Sequence, residues 1–264
     1  FAAIYLIMVQ VRHDISFDRV IPNSERIYRL ERIGNEGMSS YYMSRKEPDE
    51  WCAGIPEIEA GGSIVTYPYP EDFVWYDHSI KRNNTIDNFK IKIAMAEREG
   101  LEVFPIEFIE GGLEDFVATN DMVISEEVAR KFDLKVGDVL YLGRGAFDDN
   151  ATRDIVGIFK NFPEPSNIAT CEGWLCMEPQ EYTHNNNKNN PYYVRLNEGA
   201  SHVEVEKKMN ANMIEAWKKE GKSEEELEHL VKRYTVRLNP LSKIYFDELS
   251  YSEGMKGNRS TTYS

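Results

Sequence analysis

The sequence is short of basic residues, and this limits the partners that it can bind. It holds 31 Lys and Arg against 45 Asp and Glu, a formal net charge of −14 at pH 7 over 264 residues. A nucleic-acid-binding protein needs a basic surface to pair with phosphates, and adhesion to anionic lipid also needs basic side chains. The charge balance therefore predicts no nucleic-acid partner and disfavours anionic lipid surfaces.

Cysteine and histidine are scarce, so there is little material for a metal site or a disulfide framework. The three cysteines form no CxxC pair, and the five histidines show no HExxH motif or other metal-ligand spacing. Cys171 and Cys176 are close enough in sequence for a disulfide to be conceivable, which would leave Cys52 over. We interpret the cysteines as structural, and we predict no metal and no cofactor.

Motifs for catalysis are missing too. The segment AWKKEGKS (216–223) matches the end of a phosphate-binding loop, but Ala216 replaces the first glycine and the segment lies between two predicted helices, which indicates a helix–helix turn. The segment DDNATRD (148–154) alternates oxygen ligands, yet Arg153 and Phe159 stand where a calcium loop needs glycine and glutamate. We therefore predict no catalytic residues and no enzymatic activity, and the substrate-binding residues stay unknown.

No apolar run is long enough to span a bilayer. Residues Phe1 to Val9 are apolar, whereas a transmembrane helix needs about 20 such residues. The run also lacks the basic flank and the cleavage site of a signal peptide. The residues leave two interpretations open: a buried element of the core, or the last turns of a membrane helix.

What the sequence does contain is alternating and helical patterning at both ends of the chain. Tyr28 and Leu30 share one face of a predicted strand, and residues 44–53 favour a short helix. The stretch FKIKIAM predicts a half-buried strand with four residues on one face: Phe89, Ile91, Ile93 and Met95. Over 201–219, one helical face carries Val205, Met209, Met213, Ala216 and Trp217, and a capping box of Ser223 and Glu226 begins the next helix.

The centre of the chain has a different pattern. The segment DMVISEEVARKFDLKVGDVLYLG (121–143) reads as strand, helix, turn and strand. Ser125 is placed to cap the helix, and Val128, Ala129 and Phe132 form its apolar stripe. Short strands around one small helix predict a β-rich unit from about 112 to 165.

Five stretches together resemble the extracytoplasmic core domain of ABC transporter permeases of the MacB/FtsX type, in the form common in Bacteroidetes-like bacteria. Each is weak alone, but they span nearly the full length in the family's order. They are HDISFDRVIPNSERIYRLE (13–31), LEVFPIEFIEGGLEDFVATNDMVISEEVARKFDLKVGDVL (101–140), RDIVGIFKNFPEPSNI (153–168), YTVRLNPLSKIYFDE (234–248) and GMKGNRSTTYS (254–264). Residues 68–90 and 171–190 match nothing in that family.

The resemblance implies an α+β fold, with a porter-like α/β subdomain formed by both chain ends and an inserted β-rich, Sabre-like subdomain. The expected divisions are the end of the first transmembrane helix (1–12), the first porter-like part (13–111), the Sabre-like subdomain (112–168), the second porter-like part (169–252) and the approach to the second transmembrane helix (253–264). On this interpretation, the apolar opening is the end of a membrane helix.

The resemblance also implies a function without chemistry. Such a domain couples ATP hydrolysis by a cytoplasmic ABC ATPase to periplasmic work by mechanotransmission, in export of a peptide, drug or lipoprotein or in regulation of an envelope protein. The implied partners are that ATPase, a second permease copy and a periplasmic adaptor or envelope protein, and the implied location is the periplasmic side of the bacterial inner membrane. Two alternatives remain: the ligand-binding module of a membrane-anchored sensor, and a secreted hydrolase with an unrecognised carboxylate site.

Overall fold

The computed structural model describes residues 2–34, 39–65, 75–82, 85–143, 152–166, 168, 171–177 and 190–244. The helices are α1 (Ala2–Ser16), α2 (Lys46–Cys52), α3 (Arg98–Glu102), α4 (Glu126–Phe132), α5 (His202–Lys219), α6 (Glu224–Arg233) and α7 (Leu241–Ile244). The strands are β1 (Ile27–Ile33), β2 (Ser39–Ser40), β3 (Tyr42–Met43), β4 (Ile58–Ser63), β5 (Trp75–Arg82), β6 (Thr85–Ala96), β7 (Phe108–Gly111), β8 (Asp121–Ser125), β9 (Val139–Leu142), β10 (Thr152–Phe159), β11 (Gly173–Cys176), β12 (Asn190–Leu196) and β13 (Thr235–Pro240).

The chain folds into two compact units, and we name the first, residues 1–22 and 64–178, the barrel unit. Its strands run in the order β7-β10-β8-β11-β6-β5-β9, and β9 also pairs with β10. β10 makes this closure possible because its first residues, 152–154, pair antiparallel with β9, whereas 154–159 pair parallel with β8. Six strands therefore form a ring in which each has a neighbour on both sides, the arrangement that removes exposed strand edges.

The barrel unit is filled by apolar side chains from β6, β8, β10 and α4. Ile91, Met122 and Ile124 are completely buried in this core. The predicted cap of α4 is confirmed, since the Ser125 hydroxyl accepts a hydrogen bond from the Val128 N–H at 3.3 Å. Val128 and Ala129 are buried, so the apolar stripe predicted for this helix packs against the barrel core.

One inward position predicted on β6 is wrong. Phe89, Ile91 and Ile93 are buried as expected, but Met95 is 41% exposed, and its neighbours Ala94 and Ala96 are buried instead. Ala94 lies opposite Trp174 of β11 in the sheet register, and this tryptophan packs with Phe159 and Phe162. The aromatic cluster covers the other face of the strand at this end, so the buried side changes from one face of β6 to the other.

We name the second unit, residues 23–63 and 179–264, the α/β unit. Its antiparallel sheet places β1 between β13 and β12, with β2 paired to β1 and with β3 and β4 paired to β12. α2 and α5 cover one face of this sheet through a core that includes Tyr28, Leu30, Trp51, Met209 and Met213. The predictions that Tyr28 and Leu30 share a face, and that the stripe on 205–217 is core, are confirmed.

The boundary between α5 and α6 also follows the sequence. Ser223 and Glu226 form the predicted capping box, in which each side chain accepts the other's backbone N–H. Gly221 has a φ of +82°, a conformation that glycine adopts without the steric cost of a Cβ. The segment that resembles a phosphate-binding loop is therefore a helix–helix turn, as predicted.

Helices and antiparallel or mixed sheets in separate units confirm the predicted α+β class. The β-rich subdomain was expected over 112–168, whereas the barrel unit also takes in 64–111 and 1–22. The reason is strand pairing, since β6 lies beside β11 and β5 lies beside β9, and both strands precede residue 112. The bounds of the family's own subdomains within this chain stay a prediction.

Truncation of a core side chain on α5 tests this packing. Met213 is 1% exposed in the α/β core, whereas Val203, on the same helix, is 45% exposed. We expect Met213→Ala to lower the free energy of unfolding by about 2–5 kcal/mol, because it removes buried apolar contacts and leaves a cavity. Val203→Ala is the matched control, with an expected change within about 0.5 kcal/mol. Urea unfolding followed by circular dichroism measures both, and equal losses would contradict this packing.

Candidate functional site

A group of charged side chains is buried in the α/β unit, where β1 lies beside β13. The antiparallel register places Glu31 opposite Arg237 and Arg29 opposite Asn239. Residues two apart on a strand share a face, so all four side chains lie on the face of the sheet opposite to Tyr28 and Leu30. Arg29, Glu31 and Asn239 are no more than 2% exposed.

Glu31 is the centre of this group, and its two carboxylate oxygens both accept hydrogen bonds. Arg29 donates to Oε1 from Nε at 3.0 Å and from Nη2 at 2.6 Å, and Asn239 Nδ2 donates to the same oxygen at 2.8 Å. Oε2 accepts from the Ser39 hydroxyl and from Arg237 Nη2, both at 2.6 Å. We call these five residues the Glu31 cluster.

The Glu31 cluster holds its carboxylate in the ionised form. Burial alone would raise the pKa of Glu31, but the Arg29 charge and the hydrogen bonds from Ser39, Arg29 and Asn239 outweigh burial, and the pKa is lowered. The Arg29 guanidinium also stacks over the Tyr41 ring, 3.8 Å from its centroid. A carboxylate with a lowered pKa and saturated oxygens is suited to fixing three strands in register, and not to transferring protons.

The cysteines are free thiols, so the conceivable pairing of Cys171 with Cys176 is not formed in this structure. Burial raises the pKa of Cys52 and of Cys171 to about 12. The Cys171 thiol donates to the Gly173 carbonyl oxygen at 2.8 Å. A thiol that stays protonated at neutral pH is a poor nucleophile and metal ligand. Cys171 is therefore a core residue, and the half-buried Cys52 packs against the core of the α/β unit.

α1 presents an exposed apolar surface that differs from every other helix described. Ile4, Tyr5, Leu6, Ile7, Met8 and Val9 each expose 48–68% of their surface. Over the described residues, no helix combines the length and apolar character required to cross a membrane. Three residues after α1 are buried, since Phe17, Asp18 and Ile21 are at most 9% exposed. The Asp18 N–H donates to the Pro165 carbonyl oxygen at 2.9 Å, which fixes this turn to the barrel unit.

Three segments singled out in the sequence, 148–154, 68–90 and 171–190, lie partly outside the described residues. Residues 144–151, which include most of the calcium-like segment, lie outside the described residues, as do 66–74 and 178–189. Within the part of the chain that the structure describes, no group of three or more His, Cys, Asp or Glu side chains is placed to hold a metal ion. The described parts of 68–90 and 171–190 supply β5, β11 and the start of β6 to the barrel.

The Glu31 cluster was not predicted from the sequence. Its local signal is the alternation of Arg29 with Glu31 between apolar residues, which equally fits a solvent-exposed strand face. The residues that complete the cluster, Arg237 and Asn239, are 206 and 208 positions away from Glu31 in the chain. No short-range pattern connects them.

Neutralising Glu31 tests its structural role. We expect Glu31→Gln to lower the free energy of unfolding at pH 7 by about 3–5 kcal/mol, because Arg29 would keep a buried charge without its ionic partner. The lowered pKa means that this stabilisation is present above the usual glutamate pKa, near 4.5, and is lost as the pH falls through the lowered value.

Unfolding free energies measured in urea from pH 7 to pH 3 therefore distinguish the variant from a matched control. Glu215→Gln removes an exposed carboxylate that pairs with Lys218 on α5, and an effect within about 0.5 kcal/mol at pH 7 is expected. The Glu31→Gln protein should lose less further stability on acidification than the wild type. Identical acid profiles for wild type and Glu31→Gln would show that Glu31 does not have this role.

This chain matches known proteins in its three-dimensional structure and not in its sequence. No family model matches the sequence, and no curated protein matches it. A domain of a protein assigned as a permease from Porphyromonas gingivalis superposes with a TM-score of 0.59 and 20% identity, over 83% of this chain and 92% of that one. The periplasmic region of MacB from Actinobacillus actinomycetemcomitans superposes with a TM-score of 0.51 and 9% identity, over 86% and 92% of the two chains. This chain therefore has the fold of the periplasmic domain of MacB-type permeases, as its sequence motifs predict.

Proposed function

We propose that this chain is the extracytoplasmic domain of an ABC transporter permease subunit. The observation that carries the proposal is the fold likeness to the periplasmic region of MacB, which extends over 86% of this chain. The motifs in five stretches of the sequence agree with it independently. Fold alone does not determine function, so the proposal rests on the agreement between the fold and these motifs.

The exposed surface of α1 supports a place next to the membrane. A helix on the surface of a water-soluble domain usually has one apolar and one polar face, but α1 exposes apolar side chains at consecutive positions from Ile4 to Val9. Its 15 residues are about 22 Å long at 1.5 Å per residue, against about 30 Å for the hydrocarbon layer. We infer that α1 is the outer end of a longer transmembrane helix.

The turn after α1 would then couple that helix to the folded domain. Phe17 and Ile21 are buried, and Asp18 is held to Pro165 by a backbone hydrogen bond. A buried and hydrogen-bonded connection transmits a displacement of α1 to the barrel unit, whereas a flexible linker would absorb it. The proposed role is mechanotransmission: a cytoplasmic ABC ATPase drives the membrane helices, and this domain performs periplasmic work without catalysing a reaction.

The proposed partners are an ABC ATPase, a second permease copy and a periplasmic adaptor or envelope protein. The partner test is purification of the full-length native protein from its own membranes in a mild detergent, with mass spectrometry of what copurifies. We expect an ATP-binding-cassette subunit to be enriched. The control is an unrelated inner-membrane protein with the same tag, which should not enrich it. Recovery of a kinase or transcriptional regulator instead would favour the sensor alternative, and recovery only from the soluble fraction would contradict both.

The proposed location is tested by thiol labelling in cells. Lys222 is exposed in the turn between α5 and α6, so Lys222→Cys should react with a membrane-impermeant maleimide in cells whose outer membrane is permeabilised. The wild type is the control, and it should label slowly, because Cys171 and Cys176 are buried and the raised pKa of Cys52 keeps that thiol protonated. Labelling of Lys222→Cys only after the inner membrane is lysed would place the domain in the cytoplasm.

A further inference from the structure

Strand β7 of the barrel unit lies outside the closed ring. Of the described strands, only β10 pairs with it. Three of its four residues are exposed, and Ile109 exposes 57% of its surface. An edge strand with unpaired backbone groups is a template to which another extended chain can add. We call residues 107–111, on the side that faces away from β10, the β7 edge.

The register of β7 on β10 shows which backbone groups of the β7 edge are open. The Lys160 N–H donates to the Glu107 carbonyl oxygen at 2.8 Å, so Glu107 bonds toward β10. Phe108 lies opposite Phe159, and successive pairs in an antiparallel ladder alternate between hydrogen-bonded and non-hydrogen-bonded. The N–H and the C=O of Phe108 therefore point to the outer edge, where the described residues provide no partner.

The edge strand β13 of the α/β sheet is covered, in contrast to β7. Asn210 of α5 accepts the Val236 N–H at 2.9 Å and donates to the Val236 carbonyl oxygen at 3.0 Å. Glu206, one turn earlier on α5, accepts the Leu238 N–H at 2.8 Å. These side chains occupy the backbone groups that an added strand would use. Among the described residues, β7 has no such cover.

The charge around the β7 edge selects the kind of chain that can add to it. Residues 107–115 contain four acidic residues and no basic one. Glu107 begins the edge, Glu110 lies within it, and the Glu114 carboxylate lies against the residue that follows β7. Lys160 pairs with Glu107 at 3.3 Å and adds one positive charge. The remaining negative charge favours a segment that carries Lys or Arg.

A second copy of this chain fits the β7 edge poorly. Antiparallel pairing of two such edges would bring their glutamates together, and like charges across a ladder are destabilising. The barrel unit as a whole holds 24 Asp and Glu against 13 Lys and Arg, so two barrel units repel each other. Acidic side chains, and the bulge that the register places at Ile109, protect a strand edge from chains of the same kind. They do not repel a basic segment.

We propose that the β7 edge binds an extended basic segment of a partner protein by strand addition. The backbone of that segment pairs with Phe108, one of its apolar side chains contacts Ile109, and its Lys or Arg side chains reach Glu110 and Glu114. The inference is drawn from the barrel unit alone and does not depend on the proposed transport function.

The test uses a fluorescein-labelled peptide of alternating lysine and valine, KVKVKVK, as the probe. Fluorescence anisotropy measures its binding to the 264-residue chain in a neutral detergent at about 0.15 M salt. We expect saturable binding with a Kd below about 1 mM. The control peptide EVEVEVE keeps the β pattern with the opposite charge and should not bind. Hydrogen exchange followed by mass spectrometry should show slower amide exchange in residues 107–111 when KVKVKVK is bound, because pairing shields the N–H groups.

Charge-reversal variants locate the peptide on the surface. Glu110→Lys should weaken binding by about tenfold, because an attractive charge becomes a repulsive one within the edge. Glu114→Lys should weaken binding by roughly threefold, because this carboxylate lies beyond the end of β7. Glu198→Lys is the matched control, since this glutamate is exposed in the turn between β12 and α5, and the Kd should stay within about twofold of the wild-type value.

The outcomes separate strand addition at β7 from other ways of binding. Absence of saturable KVKVKVK binding by the wild type would overturn the proposal. Equal weakening by Glu110→Lys and Glu198→Lys would also overturn it, since binding would then depend on net charge. Binding that leaves exchange in residues 107–111 unchanged would place the peptide elsewhere. Slower exchange there when the free chain is concentrated would identify a second copy as the occupant. Exchange in the wild type decides the question even if circular dichroism shows that a variant folds poorly.

Discussion

The α/β unit depends on keeping one carboxylate charged in its interior. Glu31 is completely buried, and transfer of an ion from water into protein is costly unless hydrogen bonds and an opposite charge compensate it. Its partners come from β1, β2 and β13, so compensation requires all three strands in one register. A one-residue slip would turn these side chains to the opposite face. The cluster thus gives the sheet a specific register as well as stability.

In the barrel unit, closure of the six-strand ring fixes how the strands pair, as the Glu31 cluster does in the α/β unit. β10 pairs with β9 through its first residues and with β7 through its last, while β8 lies along it. Gly157 allows this change of partner, because a Cβ at that position would come within 2.8 Å of the Phe108 ring. Glycine is needed here for close approach and not for an unusual backbone conformation. Most strands of this unit therefore present no free edge at which another chain could add.

Among the described residues, Glu31 and two of the thiols serve the structure, which is consistent with the proposed mechanical role. The carboxylate with the most partners, Glu31, is saturated, and the thiols of Cys52 and Cys171 stay protonated. The turn from Phe17 to Ile21 provides a firm connection from the apolar α1 to the barrel unit.

Local patterns in the sequence predicted the caps, the turn at Gly221, the apolar face of α5 and the strands β1, β6, β8 and β9, because each depends on residues within a few positions of one another. The motifs, taken in order along the chain, determined the fold class. Only the tertiary structure decided the closure of the barrel, the exposure of Met95 and the burial of Glu31. These depend on partners that are far away in the chain, such as Trp174 and Arg237, and burial is a property of the whole packed unit. An alternating strand looks the same in sequence whether its polar face meets water or a buried set of partners.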